Sequence, residues 1–329
     1  MRFIIYGAGG VGGSIGGRLH LSGHDVVLIA RGNHLEALKE RGLRLRTPDG
    51  DYQLPIPAVA SPAEIDFRAD DVVFLTMKTQ DTEAALRALE LAAPASVSIV
   101  CAQNGVENER LAARRFANVY AMLVALPATH LEPGEVVASA APLTGALHAG
   151  RYPSGIDGTI EAVCAALRAS NFIADAVPEP MKLKYRKLQL NLGNGLEVVV
   201  GQRAWGAGGA MGDVAAKLRE EAAACYGAAG IAWTDPHEYQ QRVIDHYRSQ
   251  PIDGQERGAS STWQSVMRGH STIEVDYLNG EICLLGRLHG VATPYNDLVR
   301  RQAVAMAAGR VPPGSMSIDE LVRAAESAT

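Results

Sequence analysis

The chain opens Phe3-Ile4-Ile5-Tyr6-Gly7-Ala8-Gly9-Gly10-Val11-Gly12, and the reading of this stretch decides the fold. Residues 3–6 are apolar and β-favouring and predict a strand. The glycines that follow have GxGxxG spacing, and residues 11–21 read as a helix ended at Gly23. Alone, GxGxxG is a weak signal. Between a strand and a helix it marks a dinucleotide-binding turn. Gly7 allows the tight turn, Gly9 lets the backbone approach a pyrophosphate, and Gly12 lets helix and strand pack closely. The free N–H groups and the positive end of the helix dipole then face the anion.

Outward from that turn, β-rich runs at 25–30, 71–76, 96–102 and 119–125 alternate with helical stretches at 34–41 and 82–91. Such alternation predicts parallel strands with crossover helices, a doubly wound Rossmann-type α/β sheet. Residues 134–149 carry Val, Thr and Leu runs that predict added edge strands. At Pro178-Glu179-Pro180 the pattern changes, and the remainder reads almost wholly helical. The expected division is a dinucleotide-binding domain at 1–178 and an all-helical substrate and catalytic domain at 179–329. A chain of 329 residues suits two domains, at roughly 150 residues each.

Composition narrows the function. With 31 basic and 36 acidic residues the net charge is −5, which argues against a nucleic-acid partner. Cys101, Cys164, Cys225 and Cys283 lie far apart without CxxC spacing, so neither a metal ribbon nor a disulfide framework is expected. No apolar run reaches about 18 residues, so no membrane span is expected. The N-terminal strand lacks the features of a signal peptide, and the expected location is the cytoplasm.

The end of the second strand speaks to the cofactor. An NAD-preferring site places an acid there to hold the ribose 2′-hydroxyl. Here the run ends Ile29-Ala30-Arg31-Gly32-Asn33, with no acid. Arg31 could grip a 2′-phosphate with forked, charge-assisted bonds, so NADPH is the expected cofactor. Lys78 and Asn104 follow two further strands, at the carboxyl ends where ligands of open α/β sheets bind. A lone loop lysine is ordinarily a solvated charge and Asn-Gly ordinarily a turn. Their shared placement raises both above that reading.

In the helical half, Lys187, Asn191 and Asn194 stand at i, i+4 and i+7, on one face. A wet face would carry several charges, yet from 188 to 200 the only one is Glu197. The stripe reads as the lining of a cleft. Residues 273–289 read as a second helix, with Glu274 and Glu281 in the middle of an apolar arc. On this wheel Leu284 and Leu288 lie on an apolar flank, and Asp276, Asn279 and Arg287 on the opposite side. A carboxylate in an apolar arc must be paired or reach a cavity. Just upstream, Ser260-Ser261-Thr262 offers hydroxyls that could bind a carboxylate.

Taken together, these residues resemble the ketopantoate reductase (2-dehydropantoate 2-reductase) family. The resemblance runs through GAGGVGG, Ala30-Arg31-Gly32, Met77-Lys78-Thr79, 103–108, 187–194 and 274–280. It implies NADPH-dependent reduction of 2-dehydropantoate to pantoate in pantothenate biosynthesis. It gives Gly7, Gly9 and Gly12 the diphosphate, Arg31 the 2′-phosphate, and Lys78 the cofactor side. Asn104 falls near the nicotinamide ribose and substrate. Lys187 becomes the general acid, Asn191 and Asn194 position substrate, Ser261 meets its carboxylate and Glu274 its hydroxyl. Three positions depart from the family pattern. Gly195 stands where a second helix asparagine is common, with Asn194 one residue earlier. The stretch before Glu274 is one residue longer, which leaves Ser260 and Ser261 as alternatives. Ser265 stands where an acid is familiar. A sibling reductase for another 2-oxo or hydroxy acid and a non-catalytic NADP-binding regulator are the rival readings. Sequence leaves the oligomeric state open, with a homodimer as one expectation.

Overall fold

The computed structural model describes residues 1–130, 132–201, 208–252, 260–269 and 271–327. The chain runs β1 (Arg2–Tyr6), α1 (Gly10–Leu21), β2 (Asp25–Ile29), α2 (Gly32–Arg41), β3 (Leu43–Thr47), β4 (Gly50–Leu54) and β5 (Ala58–Val59). It continues β6 (Asp71–Leu75), α3 (Thr79–Ala92), β7 (Ser98–Cys101), α4 (Asn108–Ala113), β8 (Asn118–Met122) and β9 (Ala128–Thr129). Then follow β10 (Glu135–Ala138), β11 (Ala140–Pro142), β12 (Ala149–Arg151), α5 (Gly158–Ala169), α6 (Pro180–Val200), α7 (Gly209–Ala229) and α8 (Pro236–Tyr239). The last elements are β13 (Tyr247–Ser249), α9 (Ser261–Met267), α10 (Asn279–His289), α11 (Pro294–Ala307) and α12 (Ile318–Glu326).

Contacts divide the chain into two compact units. Met1–Lys184 with Thr234–Arg257 form one, and Tyr185–Trp233 with Gly258–Thr329 the other. The first unit is built on a seven-stranded sheet ordered β12-β8-β7-β6-β1-β2-β5. All its strands are parallel except β12. Both faces of the sheet are covered, which is why its strands are continuously apolar rather than alternating. Phe3, Ile5, Leu28 and Phe74 pack on one face, Ile4, Ile29, Val73 and Leu75 on the other. Buried Arg2 ties β1 to β6 through a two-pronged bond to Asp71, 2.8 and 2.7 Å.

Two expectations about this unit need correction. Residues 134–149 do not all extend the main sheet. β10 pairs with β3 and β9 in a separate four-stranded sheet, and only β12 adds an edge. Nor is the chain after 179 wholly helical. Residues 240–244 form a π turn, and β13 pairs antiparallel with β11. The pattern was too short for periodicity to reveal either.

The second unit is helical in its described residues: α6 from Tyr185 onward, α7 and α9 to α12. A buried polar chain links four of its helices. Asn279 donates to the Leu192 carbonyl (3.2 Å) and to Asn296 Oδ1 (3.0 Å). Asn296 in turn donates to the Leu218 carbonyl and to Glu221 Oε2 (2.7 Å). Glu221 also accepts the backbone N–H groups of Tyr295 and Asn296, at the start of α11. Burial pushes its carboxyl up, and these donors pull the other way.

The helix expected over 273–289 is broken. Glu274–Tyr277 is a 3₁₀ turn, Leu278 leaves helical geometry at φ −110°, ψ −87°, and α10 starts at Asn279. A continuous wheel therefore misplaces residues beyond the break. Asn279, expected opposite the apolar arc, is fully buried, whereas Leu284 and Leu288, expected on an apolar flank, are exposed.

Candidate active site

In the first unit, register aligns four strand ends. Tyr6 pairs with Ile29 and with Leu75, and Leu75 pairs with Cys101. The loops that follow β1, β2, β6 and β7 thus leave from one row, where β1 separates the two directions of strand order. That is the switch point at which open α/β sheets bind ligands. Gly7, Arg31, Lys78 and Asn104 all belong to these four loops.

The glycine loop is built by its residues' lack of side chains. Gly7 has φ +108°, a conformation that disfavours any Cβ. Its N–H donates to the Ile29 carbonyl (3.0 Å), and its own carbonyl accepts from Thr76 Oγ1 (2.8 Å). A Cβ on Gly12 would fall 2.2 Å from the Gly7 carbonyl oxygen and 2.5 Å from Thr76 Oγ1. A Cβ on Gly9 would meet nothing within 4 Å. Gly12 is thus a packing glycine, and Gly9 fronts open space of the kind a diphosphate fills. The first helical bond of α1 is Gly13 N–H to the Gly9 carbonyl, 2.7 Å. The amides of Gly10, Val11 and Gly12 precede it and have no partner within the helix.

Arg31 is the residue before α2 and is exposed; its guanidinium lies 3.6 Å from Asp81 on the first turn of α3. Lys78 is the residue before α3 and is half-buried, as is Asn104. A buried network holds the last two loops together. Gln103 Nε2 donates to the Met77 carbonyl and to Thr82 Oγ1, both 2.8 Å. Asn108 Nδ2 donates to Thr79 Oγ1 (3.2 Å) and to the Asn104 carbonyl (3.1 Å), and Thr82 Oγ1 donates to Asn108 Oδ1. Lys184 donates to the Gln103 carbonyl (3.1 Å) and to Glu109, both partners being buried. Burial pushes the Glu109 carboxyl up, against the pull of Lys184. Both peptides flanking Asn104 are therefore fixed. Gln103, Asn108 and Lys184 were missed as supports because amides and one lysine carry no spacing signal; only their burial reveals them.

In the second unit, α6 carries Lys187, Asn191 and Asn194. Asn191 is 6% exposed, and its Nδ2 finds no hydrogen-bond partner among the described residues. A buried amide without a partner is costly and marks a place where a ligand acceptor belongs. Lys187 and Asn194 are half-buried. Gly195 is closed to any side chain: a Cβ there would lie 2.7 Å from Asn279 Oδ1 and 2.9 Å from Val299 Cγ1. Helix packing occupies that slot, so any side chain there would have to displace Asn279 or Val299.

Glu274 and Glu281 are both buried. They sit on different elements, the 3₁₀ turn and α10. Ser260 Oγ accepts from Trp263 N–H (3.3 Å) and caps α9, and its own N–H donates to buried Glu197 (3.0 Å). Ser261 begins α9, but its side chain lies outside the described residues. Thr262 Oγ1, buried, has no partner among the described residues. Among the described residues there is no cluster suited to a metal ion, and no helix is long and apolar enough to cross a membrane. The four cysteines are free and buried.

The family described as Ketopantoate reductase PanE/ApbA matches residues 3–154, and its C-terminal counterpart matches residues 180–306. A 2-dehydropantoate 2-reductase of Archaeoglobus fulgidus is 28% identical over 90% of this chain and 94% of its own length. One from Halobacterium salinarum is 25% identical over 91% and 98%. Among solved structures, a PanE/ApbA family ketopantoate reductase from Ralstonia eutropha JMP134 superposes with TM-score 0.78 at 26% identity, covering 94% of this chain and 99% of the other. A D-mandelate dehydrogenase, solved with NADH and anilino(oxo)acetate, gives TM-score 0.80 at 24% identity over 94% and 99%. That last likeness speaks to the fold alone. With both halves matched in order, the chain belongs to the ketopantoate reductase PanE/ApbA family, a family of oxidoreductases.

Proposed function

We propose that this protein reduces a small 2-oxo acid with NADPH, and that the acid is 2-dehydropantoate, giving pantoate for pantothenate biosynthesis. The observation that carries the reading is the buried amide of Asn191, without a partner among the described residues, on the lysine-bearing face of α6. The residues of the first unit fit a dinucleotide. Gly9 leaves room for the diphosphate, Gly7 and Gly12 hold the loop shape, and the first amides of α1 would receive its oxygens. Arg31 would meet the 2′-phosphate, with Lys78 on the cofactor side. When bound, NADPH supplies the hydride. Lys187 would polarise the carbonyl oxygen and protonate it, acting as general acid. Asn191 and Asn194 would orient the acid, Asn104 would stand near the nicotinamide ribose, Ser261 would bind the carboxylate, and Glu274 the hydroxyl. The domain reading of 1–178 for cofactor and 179–329 for substrate belongs to the same proposal.

A sibling 2-oxo acid reductase is the second reading, favoured by the closed slot at Gly195, which alters the substrate side. A panel of 2-oxo acids assayed for NADPH and NADH consumption separates the two. The highest kcat/KM with 2-dehydropantoate and NADPH is the expected result. A higher value with another acid would select the sibling, and no turnover of any acid would reject both.

A further inference from the structure

His34 stands on α2, three residues beyond Arg31, and bridges two segments of the first unit. Its Nε2 lies 2.8 Å from the Ala8 carbonyl oxygen, and its Nδ1 lies 2.9 Å from the backbone nitrogen of Gly134. The partners dictate the roles. A carbonyl can only accept and an amide N–H can only donate, so Nε2 carries the hydrogen and Nδ1 the lone pair. The ring is therefore neutral and in one tautomer.

The Ala8 carbonyl matters because it belongs to the glycine loop. The Ala8–Gly9 peptide is held at both ends: its carbonyl by His34, its N–H by the Gly7 carbonyl at 2.8 Å. The next amides, of Gly10, Val11 and Gly12, precede the first helical bond and point where an anion would be received.

We propose that His34 is a positioning residue for the dinucleotide: by holding the Ala8 carbonyl it sets the glycine loop in the shape that receives the diphosphate. This rests on the dinucleotide reading above. It adds a pH dependence. A second proton would go to Nδ1 and confront the Gly134 N–H; the ring must then swing away from Gly134, and the Ala8 carbonyl it holds through Nε2 is shifted with it.

The surroundings keep the ring neutral. Burial and His130, whose ring centroid is 4.2 Å away, push His34 below the ordinary histidine value, and its bond to Ala8 pulls the other way. The glycine loop carries no charge between Gly7 and Gly13. On the segment after His130, Glu132 is exposed and the Glu135 carboxylate is engaged by Arg44 (3.1 Å) and Arg46 (2.9 Å). On α2, Arg41 pairs with Glu40 and reaches the Pro133 carbonyl, while Glu36 and Lys39 are exposed. Arg31, just before α2, faces Asp81. The bridge is thus intact at neutral pH and is lost as pH falls through the lowered value.

Two variants separate positioning from mere structure, because each keeps one of the two bonds. His34→Gln can still donate to Ala8 but has no proton to gain. His34→Asn can still accept from Gly134 but does not reach Ala8. Calorimetric Kd values for NAD⁺ and NADP⁺ are measured from about pH 8 to about pH 5, with thermal unfolding alongside. NAD⁺ lacks the 2′-phosphate, so it excludes that group's own titration. Wild type should lose affinity toward acid pH. His34→Gln should match wild type within about twofold at pH 8 and stay flat. His34→Asn should bind about threefold to tenfold more weakly at every pH, at a Tm equal to that of His34→Gln. Equal Kd values for His34→Asn and wild type at pH 8, or parallel pH curves for wild type and His34→Gln, would overturn the assignment alone. Absence of binding by wild type at pH 8 would overturn the dinucleotide reading and the assignment with it.

Discussion

In the first unit the groups that would receive a ligand are main-chain amides at the start of α1. In the second they are side chains on α6 and on the 3₁₀ turn before α10. The two regions therefore depend on opposite properties of the chain. The glycine loop works because side chains are absent: a Cβ at Gly12 would overlap the Gly7 carbonyl oxygen. In the proposed reading the α6 face would work through side chains that are present, and one of them, Asn191, is buried without a partner among the described residues. A site made of backbone is disturbed by adding atoms, a site made of side chains by removing them.

The sharpest test of this contrast is Lys187→Ala. Removing a general acid should lower kcat by roughly 10²–10⁴ while the dinucleotide Kd stays unchanged. Stopped-flow reduction and fluorescence titration report the two quantities separately. A fall in dinucleotide affinity would break the contrast, since Lys187 would then serve both functions.

Next in size is a pair of glycine substitutions. Gly12→Ala forces a clash and should cost about 1–3 kcal/mol in chemical denaturation, together with loss of nucleotide binding. Gly9→Ala meets no protein atom, so its stability should equal wild type while its dinucleotide affinity falls. Equal loss of stability in both would mean that Gly9 is a packing glycine too.

A smaller effect is expected at Glu274. A buried carboxylate that meets a substrate hydroxyl rejects an analogue lacking it. The kcat/KM for 2-dehydropantoate should exceed that for 2-oxo-3-methylbutanoate. Glu274→Gln should narrow the ratio by about tenfold, because the amide still bonds but carries no charge. Similar wild-type values for the two acids would reduce Glu274 to a structural role.

The smallest effect belongs to Arg31. Wild type should bind NADPH more tightly than NADH, and Arg31→Ala should remove that preference. The side chain is 77% exposed and already faces Asp81, so the change should be about tenfold or less. Equal affinities for the two nucleotides in wild type would remove Arg31 from the cofactor reading.

The same contrast explains what could be read in advance. The glycine loop, the parallel sheet and the four strand-end loops were legible because backbone constraints leave their mark on residue type. The polar face of α6 was legible because three polar residues at helical spacing interrupt an apolar run. Residues 274–289 were misread at their hinge. Nothing in Tyr277-Leu278-Asn279 announces a break, and without it the wheel sends Asn279 to solvent rather than to the Leu192 carbonyl. His34, Gln103, Asn108 and Lys184 were invisible as supports for a related reason. Each acts through a partner distant in the chain, and such pairing leaves no local pattern.

The return of Thr234–Arg257 to the first unit bears on how the protein is made. This segment supplies β13 to β11 and, from Arg242, a carbonyl within 3.1 Å of buried His148 Nε2. A ribosome releases residues 185–233, which belong to the second unit, before the first unit's chain is complete. Until Ser249 emerges, the nascent first unit carries an unpaired strand edge, and until Arg242 emerges the buried His148 Nε2 lacks its partner. The two units must therefore mature as an interleaved pair, and a fragment ending at residue 178 would inherit that open edge as a site for aggregation.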